Sequence, residues 1–253
     1  MQWSDEAVIL NVRRHGDSSV VVEALTRAHG RHLGLVRGGR SRAMAAILQP
    51  GNSVALSWRA RLDEHLGQLT VEPLRLRAGA LIASAEALFL LQTLATHLHL
   101  LAEREPHAAL HGAVEAALDG LADAASPPNV ADLCALLARF ELLLLDVLGF
   151  GLDLTRCART GATGDLVFVS PRSGRAVSRL GAEGFESRLL PLPRFLLGEA
   201  GSNRGPDEIA DGLRLTGHFL LRDLYAARTL AMPAAREELI ARMAPRRAAA
   251  IPA

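Results

Sequence analysis

The sequence predicts an α+β protein, in which an N-terminal five-stranded β-barrel is followed by a mainly α-helical domain. Two observations carry this prediction: short β-branched segments lie between turn residues up to residue 78, and apolar residues then recur at the helical period of about 3.6. Hydrophobic residues make up 49% of the 253-residue chain, which is enough to build cores. We therefore predict domains at residues 1–78 and 79–253.

The first domain contains five predicted strands within fewer than eighty residues. Several glycines between them are available for turns and bulges. This spacing suits a small closed barrel, because a lone short sheet would leave its edges unpaired. An OB-type barrel is the leading hypothesis, and an SH3-like barrel or an open five-stranded sheet fits the same pattern. The predicted strands are 7–12, 19–25, 32–36, 53–58 and 66–71.

Helical patterns dominate the second domain. Pro106 separates the first two helices, Gly149 and Gly151 end the third, and Asp207 favours the start of the last. Between the third and fourth helices, residues 150–181 are glycine-rich and irregular, with one β-like run at 166–170. The predicted helices are 80–103, 107–124, 130–148, a weaker one at 181–190, and 206–230, followed by a tail that carries Arg246 and Arg247.

The composition indicates the cellular location that we expect for the protein. Two cysteines, Cys134 and Cys157, are too few for a disulfide framework, and the N-terminus has no signal-peptide pattern. The longest uncharged apolar stretch, 87–102, falls short of the ~20 residues that span a bilayer. We expect a soluble cytoplasmic protein with no membrane partner. The formal net charge of +1 neither demands nor excludes a polyanionic partner.

Charge is distributed unevenly between the two domains. Residues 1–78 hold eleven arginines against seven acidic residues, whereas the remainder holds seventeen against twenty, and the chain has no lysine. A basic barrel beside a weakly acidic helical domain indicates a polyanion-binding module attached to a protein-interaction module. Ordinary surface variation explains a net charge of +4 equally well.

The sharpest local feature is the segment 36–42, where three arginines flank two glycines. Glycine lets backbone N–H groups approach a phosphate, and arginine forks hold phosphate oxygens in a bidentate manner. The segment lacks the spacing of a nucleotide-binding P-loop, so we exclude an NTPase. A flexible strand connection without any ligand remains the alternative. The predicted contacts are Arg37, Gly38, Gly39, Arg40 and Arg42.

A second candidate group is Trp58 with Arg59 and Arg61. Barrel proteins that bind single strands stack bases on aromatic rings and follow phosphates with basic residues. Aromatic residues are scarce here, because Trp3 and Trp58 are the only ones before Phe89. A core position for Trp58 is an equal alternative, and binding would then depend on arginine and phosphate and weaken steeply with salt.

Catalytic motifs are scarce in the sequence. We find no nucleophile elbow, no H-E-x-x-H zinc motif and no dinucleotide fingerprint after a strand. His107 and His111 share a helix face but have no third ligand at a suitable spacing. We therefore predict no catalytic residue, metal or cofactor, and an enzyme is the less favoured class.

Five motifs in order along the chain resemble the RecO recombination mediator family. They are WSDEAVIL at 3–10, LTRAHGR at 25–31, RGGRS at 37–41, LQPG at 48–51, and EL at 141–142 with LGFGLDL at 148–154 and Cys157 after it. Each motif alone is weak, and their order and spacing together make the resemblance fairly specific.

The resemblance implies an N-terminal OB-fold, a helical domain and a non-enzymatic role in DNA repair. RecO proteins bind single- and double-stranded DNA, anneal complementary strands, engage the acidic C-terminal tail of single-stranded-DNA-binding protein, and work with RecR to load RecA onto coated strands. It implies that Arg37, Arg40 and Arg42 lie on a DNA-contacting loop, and we add Arg31, from the second motif, to the predicted contacts. A location in the cytoplasm, with the nucleoid, follows.

The chain departs from the family at its metal site. Many members hold zinc through a C-x-x-C pair and a second such pair about fifteen to twenty residues later. Here Cys157 is followed three residues later by Thr160, and residues 173–179 contain no cysteine. One thiolate cannot hold structural zinc. We therefore predict a small zinc-finger-like insertion, about 150–181, that lacks the ligands and folds without metal through packing of Phe168 and Val169.

The partner surface is less defined. An acidic, apolar tail needs a groove bordered by cations, and five arginines beyond residue 78 are available without a basis for choosing among them: Arg104, Arg139, Arg214, Arg222 and Arg228. These arginines fit solvated helix-face ion pairs equally well. The alternative function is a protein-only scaffold whose basic barrel binds an acidic protein surface.

Overall fold

The structure is a computed structural model that describes residues 1–62, 64–126, 128–198 and 205–243. The tail with Arg246 and Arg247 lies outside the described residues. Contacts group the chain into two compact units, Met1–Pro128 and Asn129–Ala253. The barrel therefore shares its unit with the helices that directly follow it. The division into domains at residue 78 stays a prediction.

Five strands form a closed barrel in the order β1-β2-β3-β5-β4. All neighbouring strands are antiparallel except β3 and β5, which run parallel where Leu35 pairs with Gln68. The predicted OB-type barrel is confirmed. The strands are β1 Gln2–His15, β2 Ser19–Thr26, β3 Gly30–Val36, β4 Ser53–Arg59 and β5 Gln68–Arg75.

Alternating side chains explain why the barrel closes around one core. In β2, Val20, Val22 and Ala24 point inward and are buried, as the two-residue period of a strand requires. β1 is much longer than the predicted 7–12, and its register shifts between Ile9 and Asn11. Such a bulge bends a strand, so the first half of β1 pairs with β4 and the second half with β2.

A short helix that the sequence did not predict, α1 (Arg42–Ile47), connects β3 to β4. The Ser41 hydroxyl caps it by accepting the N–H of Met44, and Met44 and Ile47 pack against the barrel core. Fully buried Asn52 then donates to the Ile47 carbonyl at 2.9 Å and accepts the N–H of Ala78 at 2.9 Å. This side chain joins α1 to the start of the next helix.

Three further helices pack within the first unit: α2 Ala78–Ile82, α3 Ala85–Leu98 and α4 Ala108–Ala122. The prediction of one continuous helix at 80–103 is wrong. Ser84 has extended backbone and accepts the N–H of Ala87 at 3.1 Å, so it starts a new helix. Buried Arg77 bonds to Asp119 of α4 and to Ser53 of β4, which ties α4 to the barrel.

The second unit surrounds the long, largely buried α5, against which α7 and α8 pack. A three-stranded sheet of order β7-β6-β8 forms the insertion. The predicted helix at 181–190 is wrong, because the chain makes only a four-residue helix and a 3₁₀ turn there, separated by Gly184 at positive φ. The elements are α5 Val130–Val147, β6 Leu166–Val169, β7 Ala176–Ser178, α6 Arg179–Ala182, β8 Leu190–Pro191, α7 Pro206–Phe219 and α8 Ala234–Met243.

The last predicted helix, 206–230, changes type along its length. It is α-helical up to Phe219, then a π-helical turn at Leu220–Tyr225 and a 3₁₀ turn at Ala226–Arg228. No helix within the described ranges is both long and apolar enough to cross a membrane.

Buried Glu23 of β2 predicts that the first unit loses stability in acid. Its carboxylate accepts from Arg31 at 2.6 Å and lies 3.0 Å from the His99 ring nitrogen. Burial raises the pKa of Glu23, but hydrogen bonds from His99 and Arg31 outweigh burial and lower it below 4.5. A carboxyl group whose pKa is lower in the folded state than in the unfolded state stabilises the protein at any pH above its unfolded-state pKa. This stabilisation is lost as the pH falls through the folded-state pKa.

We expect Glu23→Gln to lower the melting temperature at pH 7, because glutamine cannot form the ion pair with Arg31. The difference from wild type should shrink as pH falls below the ordinary pKa of glutamate and through the lowered folded-state pKa, because Glu23 itself then becomes protonated. Thermal unfolding at pH 7, 5 and 3 measures this difference. A difference that stays constant across these pH values would contradict the assignment.

Candidate nucleic-acid interface

One end of the barrel is built from the β1–β2 turn at 16–18 and the loop at 37–41. The backbone N–H of Arg40 donates to the Ser18 carbonyl at 3.1 Å, and its guanidinium donates to the Asp17 carbonyl at 2.6 Å. These bonds hold the loop against the turn. In OB-folds the loops after strands 1 and 4 border the oligonucleotide-binding face. The loop at 37–41, which we call the arginine loop, therefore lies beside the surface that this fold uses for nucleic acid.

A groove of about 460 Å³ lies between β1, this loop and α1. Arg14 and Arg40 bring positive charge to it, and Asn11 and Gln49 bring amide groups. We call it the basic groove. Guanidinium forks bind phosphate oxygens in a bidentate manner, and side-chain amides are common phosphate and sugar contacts. The groove thus has the chemistry to bind a phosphodiester backbone.

Several exposed arginines of the barrel domain have no internal partner. Within the part of the chain that the structure describes, their guanidinium groups make no hydrogen bond or ion pair. Such groups are free to contact phosphates and to release condensed counterions when they do. Four of them were predicted as DNA contacts. The set is Arg13, Arg14, Arg27, Arg37, Arg42, Arg59 and Arg61, of which Arg27 lies in the β2–β3 turn, at the other end of β2 from the β1–β2 turn.

Strand pairing connects Arg59 and Arg61 with the arginine loop. Arg59 pairs with Gln68 of β5, and Gln68 pairs in turn with Leu35, two residues before Arg37. Two strand spacings, about 10 Å, therefore separate the backbone of Arg59 from the end of β3. Arg61 follows in the β4–β5 connection. A single polyanion can follow this path across adjacent strands.

The two glycines of the loop have different roles. Gly38 has φ +66° and no neighbour within 4 Å of a Cβ built on it, so its exposed backbone is accessible to a ligand. Gly39 is buried, and a Cβ there would lie 2.5 Å from Val20 Cγ2. Gly39 therefore allows the loop to pack on the barrel, and it also lines the basic groove, so its contact with DNA stays a prediction.

Trp58 is a core residue and does not form a base-stacking surface. Its side chain is fully buried, its Nε1–H donates to the Leu66 carbonyl at 3.0 Å, and its ring stacks on Trp3 with centroids 5.6 Å apart. A base cannot reach a ring that has no exposed face. The prediction of Trp58 as a DNA contact is corrected for this reason.

The Arg31 guanidinium is also bonded to other groups of the protein. Its side chain is only 12% exposed, one guanidinium nitrogen donates to Glu23 at 2.6 Å, and another donates to the Leu101 carbonyl at 3.3 Å. Freeing this guanidinium would leave the buried Glu23 carboxylate without its cation. We therefore correct the prediction of Arg31 as a DNA contact.

Comparison with known proteins decides the family. The family model for the recombination protein O N terminal matches residues 1–77, and that for the recombination protein O C terminal matches residues 80–230. The chain belongs to the RecO family. RecO proteins are DNA repair and recombination proteins that bind DNA.

Full-length RecO relatives support the assignment. A DNA repair protein RecO from Sinorhizobium medicae is 51% identical over 95% of this chain and 94% of its own length. Those of Methylocella silvestris and Chelativorans sp. are 50% and 52% identical, over 97% of both chains and 95% of both chains respectively. The similarity therefore extends over both compact units.

Sequence reasoning missed part of the candidate interface of this RecO protein. Arg13 and Arg14 lie in the last, turn-proximal part of β1, just before its end at His15, and Arg14 lines the basic groove. Their adjacency in sequence was visible, but only the pairing of Arg14 with Val20 places them beside the β1–β2 turn. Two neighbouring arginines just before a Gly-Asp-Ser turn were the available signal.

The arginines considered for an acidic partner tail are engaged inside the protein. Arg104 donates to the His65 carbonyl, and Arg139 donates to the Phe195 carbonyl at 3.3 Å. Arg214 pairs with Asp211 and Arg222 with Asp223. None of these contacts distinguishes one of them as a docking residue.

Proposed function

We propose that this RecO protein is a recombination mediator that binds single- and double-stranded DNA and anneals complementary strands. The observation that carries the proposal is the group of six unpartnered exposed arginines on the closed OB barrel other than Arg27, together with Arg40 in the basic groove. The proposed contacts are Arg13, Arg14, Arg37, Gly38, Gly39, Arg40, Arg42, Arg59 and Arg61.

The proposed mechanism needs no bond to be broken. Arginines neutralise the phosphates of two strands at once and so reduce the repulsion between them. Phosphate contacts carry no base information, so the strands exchange contacts quickly while they search for register. The lack of an exposed Trp58 ring favours this mode, because bases stacked on the protein would have to be released before pairing.

The family resemblance extends the proposal to partners. We propose that the chain acts with RecR, binds the C-terminal tail of single-stranded-DNA-binding protein, and helps load RecA onto strands coated by that protein. This role places it in the cytoplasm, with the nucleoid. The proposed role is that of a mediator and not of an enzyme.

Fluorescence anisotropy of a labelled single-stranded oligonucleotide across a salt series tests the DNA proposal. We expect saturable binding with a log–log salt slope of about −4 if six arginines contact one single strand. Adding the complementary strand should then give duplex faster than in protein-free solution, and a non-complementary strand is the control. No binding at low salt would refute the proposal and favour the protein-only scaffold.

A further inference from the structure

Four residues of the insertion repeat the spacing of a zinc-binding motif without its ligands. Cys157 and Thr160 are separated by two residues, and so are Ser178 and Gly181. Seventeen residues lie between Thr160 and Ser178, within the spacing of C-x-x-C pairs that bind zinc. The absence of cysteine from residues 173–179, noted from the sequence, did not show this pattern, because the pattern ends at Gly181.

The two turns share one type of hydrogen bond. In the first, the N–H of Thr160 donates to the Cys157 sulfur at 3.4 Å; in the second, the N–H of Gly181 donates to the Ser178 hydroxyl at 3.2 Å. In each turn, therefore, the side chain of the first residue accepts the N–H of the fourth. The side-chain atoms that accept these bonds occupy equivalent places in both turns.

The four positions also meet in space. The Thr160 and Ser178 hydroxyls lie 3.3 Å apart, and a Cβ at Gly181 would lie 2.7 Å from the Cys157 sulfur and 3.2 Å from the Ser178 hydroxyl. The turns are joined by bonds from Ala158 N–H to the Ala176 carbonyl and from Arg159 to the Gly181 carbonyl. Cys157 and Ser178 are buried at the centre of this arrangement.

This donor set does not fit zinc. Structural zinc takes four thiolate or imidazole ligands, whereas these positions offer one thiol, two hydroxyls and no side-chain donor at Gly181. Elsewhere in the described residues, no group of three His, Cys, Asp or Glu side chains converges on a metal position. A side chain at Gly181 would collide with the Cys157 thiol, which fills the space that a fourth ligand would need.

We propose that Cys157, Thr160, Ser178 and Gly181 occupy the four ligand positions of a lost tetrahedral metal site, and that their hydrogen bonds and close packing replace the metal. The thiol packs against Gly181, the hydroxyls contact each other, and each turn is closed by its own N–H bond. Fully buried Val169 of β6 completes the support from within the sheet, whereas Phe168 is only half-buried.

Metal analysis of full-length variants tests the proposal. Wild type purified from zinc-supplemented cells should contain far less than one zinc per chain. Thr160→Cys, Ser178→Cys and Gly181→Cys together should bind about one zinc per chain, give the visible absorption of tetrahedral cobalt–thiolate after cobalt exchange, and become sensitive to chelator in thermal unfolding. The matched control places three cysteines at exposed sites of the same region: Thr163→Cys, Ser173→Cys and Ser187→Cys.

A second variant covers the case in which Gly181→Cys prevents folding. Thr160→Cys with Ser178→Cys keeps Gly181 and provides three thiolates, a set that binds zinc with water as the fourth ligand. We expect this variant to bind zinc more tightly than the three-cysteine control. Stoichiometric zinc in wild type, or no zinc above the control in both cysteine variants, would overturn the proposal.

Discussion

Replacing Arg236 with alanine is expected to destabilise the second unit by about 3–5 kcal/mol, the usual cost of leaving a buried charge without its partner. Arg236 of α8 and Glu141 of α5 are 5% and 0% exposed at their side chains. The guanidinium donates to the two carboxylate oxygens at 2.7 and 3.1 Å, and Thr216 of α7 also donates to the carboxylate. Three helices therefore depend on one buried carboxylate.

The Arg236 guanidinium also packs closely against α7. Arg236 also donates to the Leu213 carbonyl at 2.7 Å, and a Cβ at Gly217 would lie 2.8 Å from its guanidinium. The close approach of α7 thus depends on glycine at that position. Replacing both charges, as in Glu141→Leu with Arg236→Met, should recover most of the lost stability, because apolar residues of similar volume remove the unpaired charge.

Hydrogen exchange of the full chain measures this effect unit by unit. Arg236→Ala should lower the protection of α5 and α7 and leave that of the barrel strands unchanged. Arg214→Ala is the matched control, because Arg214 lies on α7 but its side chain is 61% exposed in its pair with Asp211. Equal losses of protection in the two variants would contradict a special role for the buried pair.

Local pattern was sufficient to predict the barrel, since β-branched and alternating segments lie between glycines that mark the turns. It was insufficient for α1, whose six residues are too short to show a helical period, and for the break at Ser84, which interrupts an apolar pattern that continues on both sides. The bulge after Ile9 was also invisible, because pairing with two different strands is a property of the closed barrel.

The predicted site residues also fall into two groups: some are as exposed as their local sequence indicates, and others are buried by contacts distant in sequence. Exposed arginines in loops, such as Arg37 and Arg61, keep the surface position that their sequence context indicates. Arg31 and Trp58 have similar local contexts, but Glu23 and the β4–β5 connection bury them through contacts distant in sequence. A residue's side chain can be assigned to a ligand only when these distant partners are known.

Loss of Arg14, Arg37 and Arg42 should weaken single-strand binding about 100-fold at 0.1 M salt. These three side chains have no hydrogen-bond or ion-pair partner within the described chain, so glutamine at each position should remove charge without disturbing the barrel. With a salt exponent of about 0.7 for each phosphate contact to a single strand, three contacts are worth roughly 10² between 0.1 and 1 M salt. The slope itself should fall by about 2.

Comparing this triple variant with a second one of equal charge distinguishes binding at a local interface from a general effect of net charge. Arg156→Gln, Arg172→Gln and Arg188→Gln remove the same charge from exposed positions of the second unit and should change the slope little. Arg40 is left intact, because its bond to the Asp17 carbonyl positions the loop and its loss would mix folding with binding. Anisotropy titrations from about 0.05 to about 0.5 M salt compare the variants, because the Debye length falls roughly threefold over that range. Equal slopes in both triple variants would show that net charge, and not the basic groove, binds the strand.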